Sequence, residues 1–227
     1  MNLRRFFLIS MALCMLIPVT AVADGLIDFT IPTSTAGSLS YSGGSNSLIG
    51  SGITVSGVLG VLSPSRSGVG ESITNGSLNF MSGPSVGSWK WGAGGTISVM
   101  GEIPSLGLAN NSVLLSGTFT SASLSPLSPT LAKIVLAGFS GVENPNLLSF
   151  YGYSPGSPFI GSLILSPAIG LWPLGGKPFS AKGFVGGTIL TSPDPAPVPI
   201  PSSLLLFVVA IFGLALAAKF RIIKSPF

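Results

Sequence analysis

Between residues 24 and 192 the chain is cut into short stretches in which apolar residues alternate with small or polar ones, each closed by Gly, Ser, Asn or Pro. A two-residue period puts successive side chains on opposite faces of an extended backbone, so each stretch reads as a strand with one apolar face. Strands are expected at residues 26–31, 37–41, 53–58, 77–80, 96–99, 113–119, 132–138, 147–151 and 183–190. Turn signals such as Asn75-Gly76 favour hairpins, and hairpins make antiparallel neighbours. No stretch sustains an apolar period of 3.6 with caps at its ends, so almost no helix is expected in this segment. The fold class that follows is all-β, an antiparallel β-sandwich or flattened barrel. A β-solenoid is the rival, and the lack of a fixed repeat period weighs against it.

The two ends of the chain are built differently. Arg4 and Arg5, the apolar run 6–17, Pro18 and the small residues of Ala21-Val22-Ala23 have the order of a secretory signal, with cleavage expected after Ala23. At the other end, residues 193–201 carry Pro at every second position, which removes backbone donors and holds an extended, stalk-like segment. Residues 202–218 follow without a charge, and as a helix they span about 26 Å, close to the hydrocarbon thickness of a bilayer. Lys219, Arg221 and Lys224 then place the C-terminus on the cytoplasmic side and the bulk of the chain outside. The expected map is a signal at 1–23, a Gly/Ser-rich β domain at 24–192, a stalk at 193–201, a transmembrane helix at 202–218 and a basic tail at 219–227.

Val198-Pro199-Ile200-Pro201, the apolar run behind it, and Lys219 with Arg221 resemble the PEP-CTERM sorting tail of Gram-negative surface proteins. The usual form of that tail is Val-Pro-Glu-Pro, and Ile200 stands here where Glu is usual. The likeness covers about the last 30 residues. It implies a temporary membrane anchor removed by an exosortase-like processing enzyme, on a protein exported by bacteria that make exopolysaccharide. Without such processing the same residues leave a single-pass membrane protein.

The net charge of +4 comes from the terminal segments. From Asp24 to Pro201 five cations, Arg66, Lys90, Lys133, Lys177 and Lys182, stand scattered against six acids, so no nucleic-acid partner is expected. Cys14 is the one cysteine and lies in the signal, which leaves the mature chain neither disulfides nor thiolate chemistry. Gly83-Pro84-Ser85-Val86-Gly87 fits the spacing of a nucleophile elbow, but the chain has no histidine and no Ser-x-x-Lys, so a general base for Ser85 is missing. Without His or Cys, a metal has only oxygen ligands. Asp24 and Asp28, with a distant Glu71, Glu102 or Glu143, do not make the clustered set that calcium needs. Glu102 and Glu143 are conceivable partners for a glycosidase-like carboxylate pair, although nothing in the sequence singles them out. No catalytic, cofactor or metal site is expected, and Phe227 lacks the flanking alternation of an outer-membrane barrel strand.

Trp89-Lys90-Trp91-Gly92-Ala93-Gly94-Gly95 is the densest unusual cluster. On a strand, Trp89 and Trp91 project on one face and form either a platform for stacking on sugar rings or part of a small core. Tyr151, Tyr153 and Trp172 admit the same two readings. The expectation is therefore an exported, non-enzymatic structural protein of the cell surface or extracellular matrix, with a carbohydrate-binding module as the alternative. N-terminal sequencing of the exported protein should begin at Asp24, and intact Met1 on the membrane-bound protein would refute the signal assignment.

Overall fold

The structure, a computed structural model, describes residues 25–169 and 176–194. Ala21, Ala23, Asp24 and Trp172, the tail with Val198, Pro199, Ile200 and Pro201, and the expected membrane helix at 202–218 lie outside the described residues.

Among the described residues the chain forms one sheet of fifteen strands. In chain order these are β1 (Leu26–Ile31), β2 (Ser38–Tyr41), β3 (Leu48–Thr54), β4 (Gly57–Val61), β5 (Gly70–Ser72), β6 (Thr74–Met81), β7 (Ser85–Gly87) and β8 (Lys90–Trp91). Then come β9 (Gly95–Ile103), β10 (Leu108–Phe119), β11 (Ser121–Pro126), β12 (Ala132–Glu143), β13 (Phe159–Pro167), β14 (Phe179–Ala181) and β15 (Phe184–Pro193). A 3-10 turn, Pro104–Leu106, links β9 to β10, and one α-helix, α1 (Pro145–Tyr151), follows β12. Each strand pairing is antiparallel, unlike the parallel coils of a β-solenoid. The main path runs β14-β2-β3-β6-β9-β10-β12-β13-β15-β1-β4-β5, and β11, β8 and β7 branch from β12.

Two expectations are corrected here. The run 53–58 is not one strand, because β3 ends at Thr54 and β4 begins at Gly57. The run 147–151 is helical: Asn144 caps it by accepting from the Asn146 amide at 3.0 Å, Pro145 starts it, and Gly152, left-handed at φ 84°, ends it. Leu147, Leu148 and Tyr151 are then buried on one side of α1, so an apolar run that looks like a strand serves a single helical face.

The short links dictate the shape of the sheet. β3 stands third along the path and β4 eleventh. Laid flat, strands eight places apart are separated by about 38 Å at ~4.8 Å per strand. The link Val55-Ser56 reaches only about 10 Å. A single residue, Ile73, joins β5 at the end of the path to β6, which stands fourth. The sheet must therefore curl until its arms meet. Backbone bonds carry the neighbouring ladders into these links, from Ser56 N to Thr30 O at 3.0 Å, Val55 N to Gly76 O at 3.0 Å and Ile73 N to Ser56 O at 2.9 Å.

Curling puts one face of every long strand inside. Ile27, Phe29 and Ile31 of β1, Ile97 and Val99 of β9, Ile134 and Leu136 of β12, and Leu163 and Leu165 of β13 belong to one continuous core. Two inward positions are glycines that the opposite strand covers with a ring: Gly50 pairs with Phe80, and Gly95 with Phe119. A Cβ on Gly95 would lie 2.3 Å from Phe119 Cζ, and one on Gly50 would lie 2.2 Å from Phe80 Cε1. The ring thus occupies the volume that any larger residue would need, and burying it contributes about 2–3 kcal/mol. Gly95→Ala should cost about 1–3 kcal/mol in urea unfolding by overpacking, and less in a Phe119→Leu background, because the two changes share one volume.

Candidate functional site

Four aromatic residues distant in sequence meet where β14, β2 and the β7–β8 hairpin come together. β14 pairs with β2 so that Phe179 stands opposite Tyr41. Tyr41 packs edge-on against Trp91 at 5.2 Å and Trp89 at 6.2 Å, and Trp89 packs edge-on against Phe179 at 5.6 Å. Trp91, on β8, is 1 % exposed, and its indole N–H donates to the Asn46 carbonyl at 3.2 Å. Trp89 is half-buried and sits in the two-residue turn between β7 and β8 rather than on a strand. Its φ of 59° is left-handed, a conformation costly for a bulky residue. Such strain costs of order 1–3 kcal/mol, and two edge-to-face contacts at about 0.5–1.5 kcal/mol each offset it.

The two indoles therefore do not form the paired, outward platform that a continuous strand would give. Trp91 is core, and the half-buried Trp89 with Phe179 beside it is the part of the cluster that reaches the surface. Such an edge offers stacking and apolar contact. Tyr151 is buried under α1, its hydroxyl 3.1 Å from the Val58 carbonyl and 3.2 Å from that of Val69. Tyr153 is half-buried and packs edge-on against Phe159 at 5.4 Å.

Ser85 lies on β7, and its hydroxyl is 3.2 Å from the Gly87 carbonyl and 3.4 Å from that of Lys90. It sits in a small hairpin, not on the strand-to-helix turn that exposes a nucleophile.

The acids are dispersed. Asp28 on β1 accepts from the Thr188 hydroxyl, and Glu71 on β5 accepts from the Ser105 hydroxyl. Glu102 on β9 is half-buried between the buried Gly101 and Ile103, hence on the outer face, whereas Glu143 on β12 is buried. The two carboxylates face opposite sides of the sheet and cannot flank one bond. Among the described residues no group of three or more candidate metal ligands comes together.

Comparison with family models, curated proteins and solved structures found no match to the chain.

Glu143 is the residue whose surroundings the sequence did not disclose. Along β12, Ala132, Ile134 and Leu136 point inward. The register against β13 then slips by one residue between Leu136 and Phe139, with Gly138 left-handed at φ 66°. That bulge reverses the alternation. Phe139 and Glu143 turn inward, and Val142 is left 51 % exposed. Glu143 is 4 % exposed, hydrogen-bonded through Oε1 to the hydroxyl of Thr191 on β15, and Thr191 Oγ1 also lies 3.1 Å from the Ile27 carbonyl on β1. Oε2 has no hydrogen-bond partner among the described residues. Burial pushes the carboxyl up to about 8, and the Thr191 hydroxyl only partly opposes this.

The aromatic cluster makes a measurable distinction between its indoles. Trp91→Ala should cost about 3–5 kcal/mol in urea unfolding. Trp89→Ala, which loses two edge contacts but relieves the strained turn, should cost no more than about 1–2 kcal/mol. In a Trp172→Phe background, acrylamide should quench Trp89 far more readily than Trp91.

Proposed function

We propose that the chain is an exported bacterial surface or extracellular-matrix protein of structural, non-enzymatic type. In this reading its β domain is carried across the inner membrane by the signal at 1–23 and held there by the tail. An exosortase-like enzyme recognises Val198-Pro199-Ile200-Pro201, and release delivers the domain to the cell surface or to exopolysaccharide. The observation that carries this is the order of the last residues: alternating prolines, an uncharged run long enough for a short membrane span, then Lys219, Arg221 and Lys224.

The domain's own architecture is compatible with such delivery. β15 runs to Pro193 between β13 and β1, and Asp194 N bonds Pro158 O at 2.9 Å. Thr191 pairs with Ile27, so the chain enters at Gly25 and leaves at Asp194 at the same end of two adjacent strands. We take the curled sheet to be a flattened barrel or sandwich, a shape that keeps its outermost strands β14 and β5 to three residues each and so offers little edge for unwanted pairing.

A carbohydrate-binding role is the second reading, favoured by the half-buried Trp89 beside Phe179 at the surface. A Trp89→Ala variant that keeps its fold and its retention on exopolysaccharide would remove it.

Fractionation of the native host with mass spectrometry of the mature C-terminus tests the main proposal. Cleavage near residues 198–201 and recovery outside the inner membrane are expected. Replacing Pro199 and Pro201 by Ala with 202–218 intact should trap uncleaved precursor in the inner membrane. Wild-type protein found only as an uncleaved inner-membrane species, in a host with an exosortase, would leave a permanently anchored single-pass protein instead.

A further inference from the structure

The end of the sheet where the chain enters and leaves is tied by a short relay of polar atoms inside a mainly apolar core. Thr191 has one hydroxyl proton and two neighbours able to accept it, the Ile27 carbonyl and the Glu143 carboxyl group. With the acid neutral, both links are made together: the carboxyl O–H donates to Thr191 Oγ1, and the Thr191 O–H donates to Ile27. With the acid ionised, the single Thr191 proton must serve either the carboxylate or the carbonyl, and a charge is left in the core beside an unpartnered Oε2.

We propose that Glu143, Thr191 and the Ile27 carbonyl form a proton-held latch that ties the end of β12 to the start of β1 and the end of β15, and that loss of the Glu143 proton loosens this end of the sheet.

The surroundings decide how the latch responds. β10 presents Leu115 directly opposite Glu143, and β13 presents buried Phe159 two residues along the same face, so neither supplies a charge. On β1, Asp28 is engaged by Thr188 and alternates with buried Ile27 and Phe29, which places it on the outer face. The titratable neighbour is Tyr151 of α1, itself pushed up to about 12, first by burial and then by Glu71 of β5, with Glu143 adding to it. Beyond α1, the Tyr153 hydroxyl lies against Gly25, where a Cβ would sit 2.5 Å from it. Tyr151 is neutral across the physiological range, and Glu71 adds only negative charge, so neither favours the carboxylate.

The sign follows from linkage. Glu143 holds its proton in the fold up to about pH 8, whereas in the unfolded chain it loses it near the ordinary 4.5. Across that window the folded state binds more protons, so stability is fully present at the acid end and is lost as pH rises, levelling off above about pH 8. Any opening that exposes Glu143 should become more frequent by up to about tenfold per pH unit within the window.

The test uses the full-length chain in detergent. Amide exchange, corrected for the intrinsic effect of pH, should show residues 25–28 and 189–193 losing protection as pH rises from 5 to 8. Glu143→Gln, which keeps the shape and stays neutral, should flatten that dependence. Carbon NMR of the Glu143 carboxyl group in the wild-type chain gives a readout that does not depend on the variant folding. Titration near pH 8 with loss of protection in the same residues supports the latch. Titration below pH 5, or protection that does not change with pH or changes equally in Glu143→Gln, overturns it.

Discussion

Val55 and Ser56 are all the chain has with which to pass from the third strand of the sheet to the eleventh, and Ile73 alone brings it back to the fourth. A flat sheet cannot bring strands that far apart within reach of so short a link, so the arms must curl toward each other. Once the arms meet, each strand has an inside and an outside, and the alternating residues sort themselves accordingly. The common core and the packing of Tyr151 of α1 against β4 depend on that curling. The constraint is geometric, yet the hydrophobic effect enforces it, since a flat sheet of the same strands would leave Phe29, Leu78, Val99 and Leu136 in water.

A curled sheet with one apolar interior also explains why a single buried acid matters. An ionised carboxylate in such a place costs several kcal/mol, whereas a neutral one with a hydroxyl partner costs little. Glu143 is there because a bulge at Gly138 adds one residue to β12. That bulge lies where β12 changes partners, from β11 along residues 132–137 to β10 along 140–143. Splaying β11 away from β10 needs a local change in twist, and a bulge supplies it. The branch also carries the β7–β8 hairpin outward to the aromatic cluster, so one irregularity in β12 bears on both unusual features of the domain.

The functional reading and the fold meet at the two ends of the chain. The interior of the chain is poor in charge, and its cations are scattered, while the long uncharged apolar runs stand before residue 24 and after residue 192. The first and last strands, β1 and β15, are hydrogen-bonded neighbours, so the described chain enters and leaves the sheet at one end. Its glycine and serine content fits a sheet that needs small residues beneath rings and tight links between distant strands.

The sequence by itself determined the class of structure and the positions of seven of the fifteen strands. A two-residue period leaves little choice of geometry, and β1, β2, β6, β9, β10, β12 and β15 fall on runs legible from alternation alone. Asn144-Pro145 and Gly152 were a legible cap and stop for α1 as well, although Leu147-Leu148-Ser149-Phe150-Tyr151 reads more readily as a strand. Alternation could not reveal the meeting of Tyr41, Trp89, Trp91 and Phe179, because contacts across such separations are set by strand order, which local pattern does not encode. Nor could it place Glu143 inside and Val142 outside. Counted from Ala132 without interruption, the period puts Val142 in the core and Glu143 in water. Only the tertiary structure, by changing the partner of β12 midway and inserting one left-handed residue there, reversed the two, since the face a strand residue occupies is fixed by register against its neighbours.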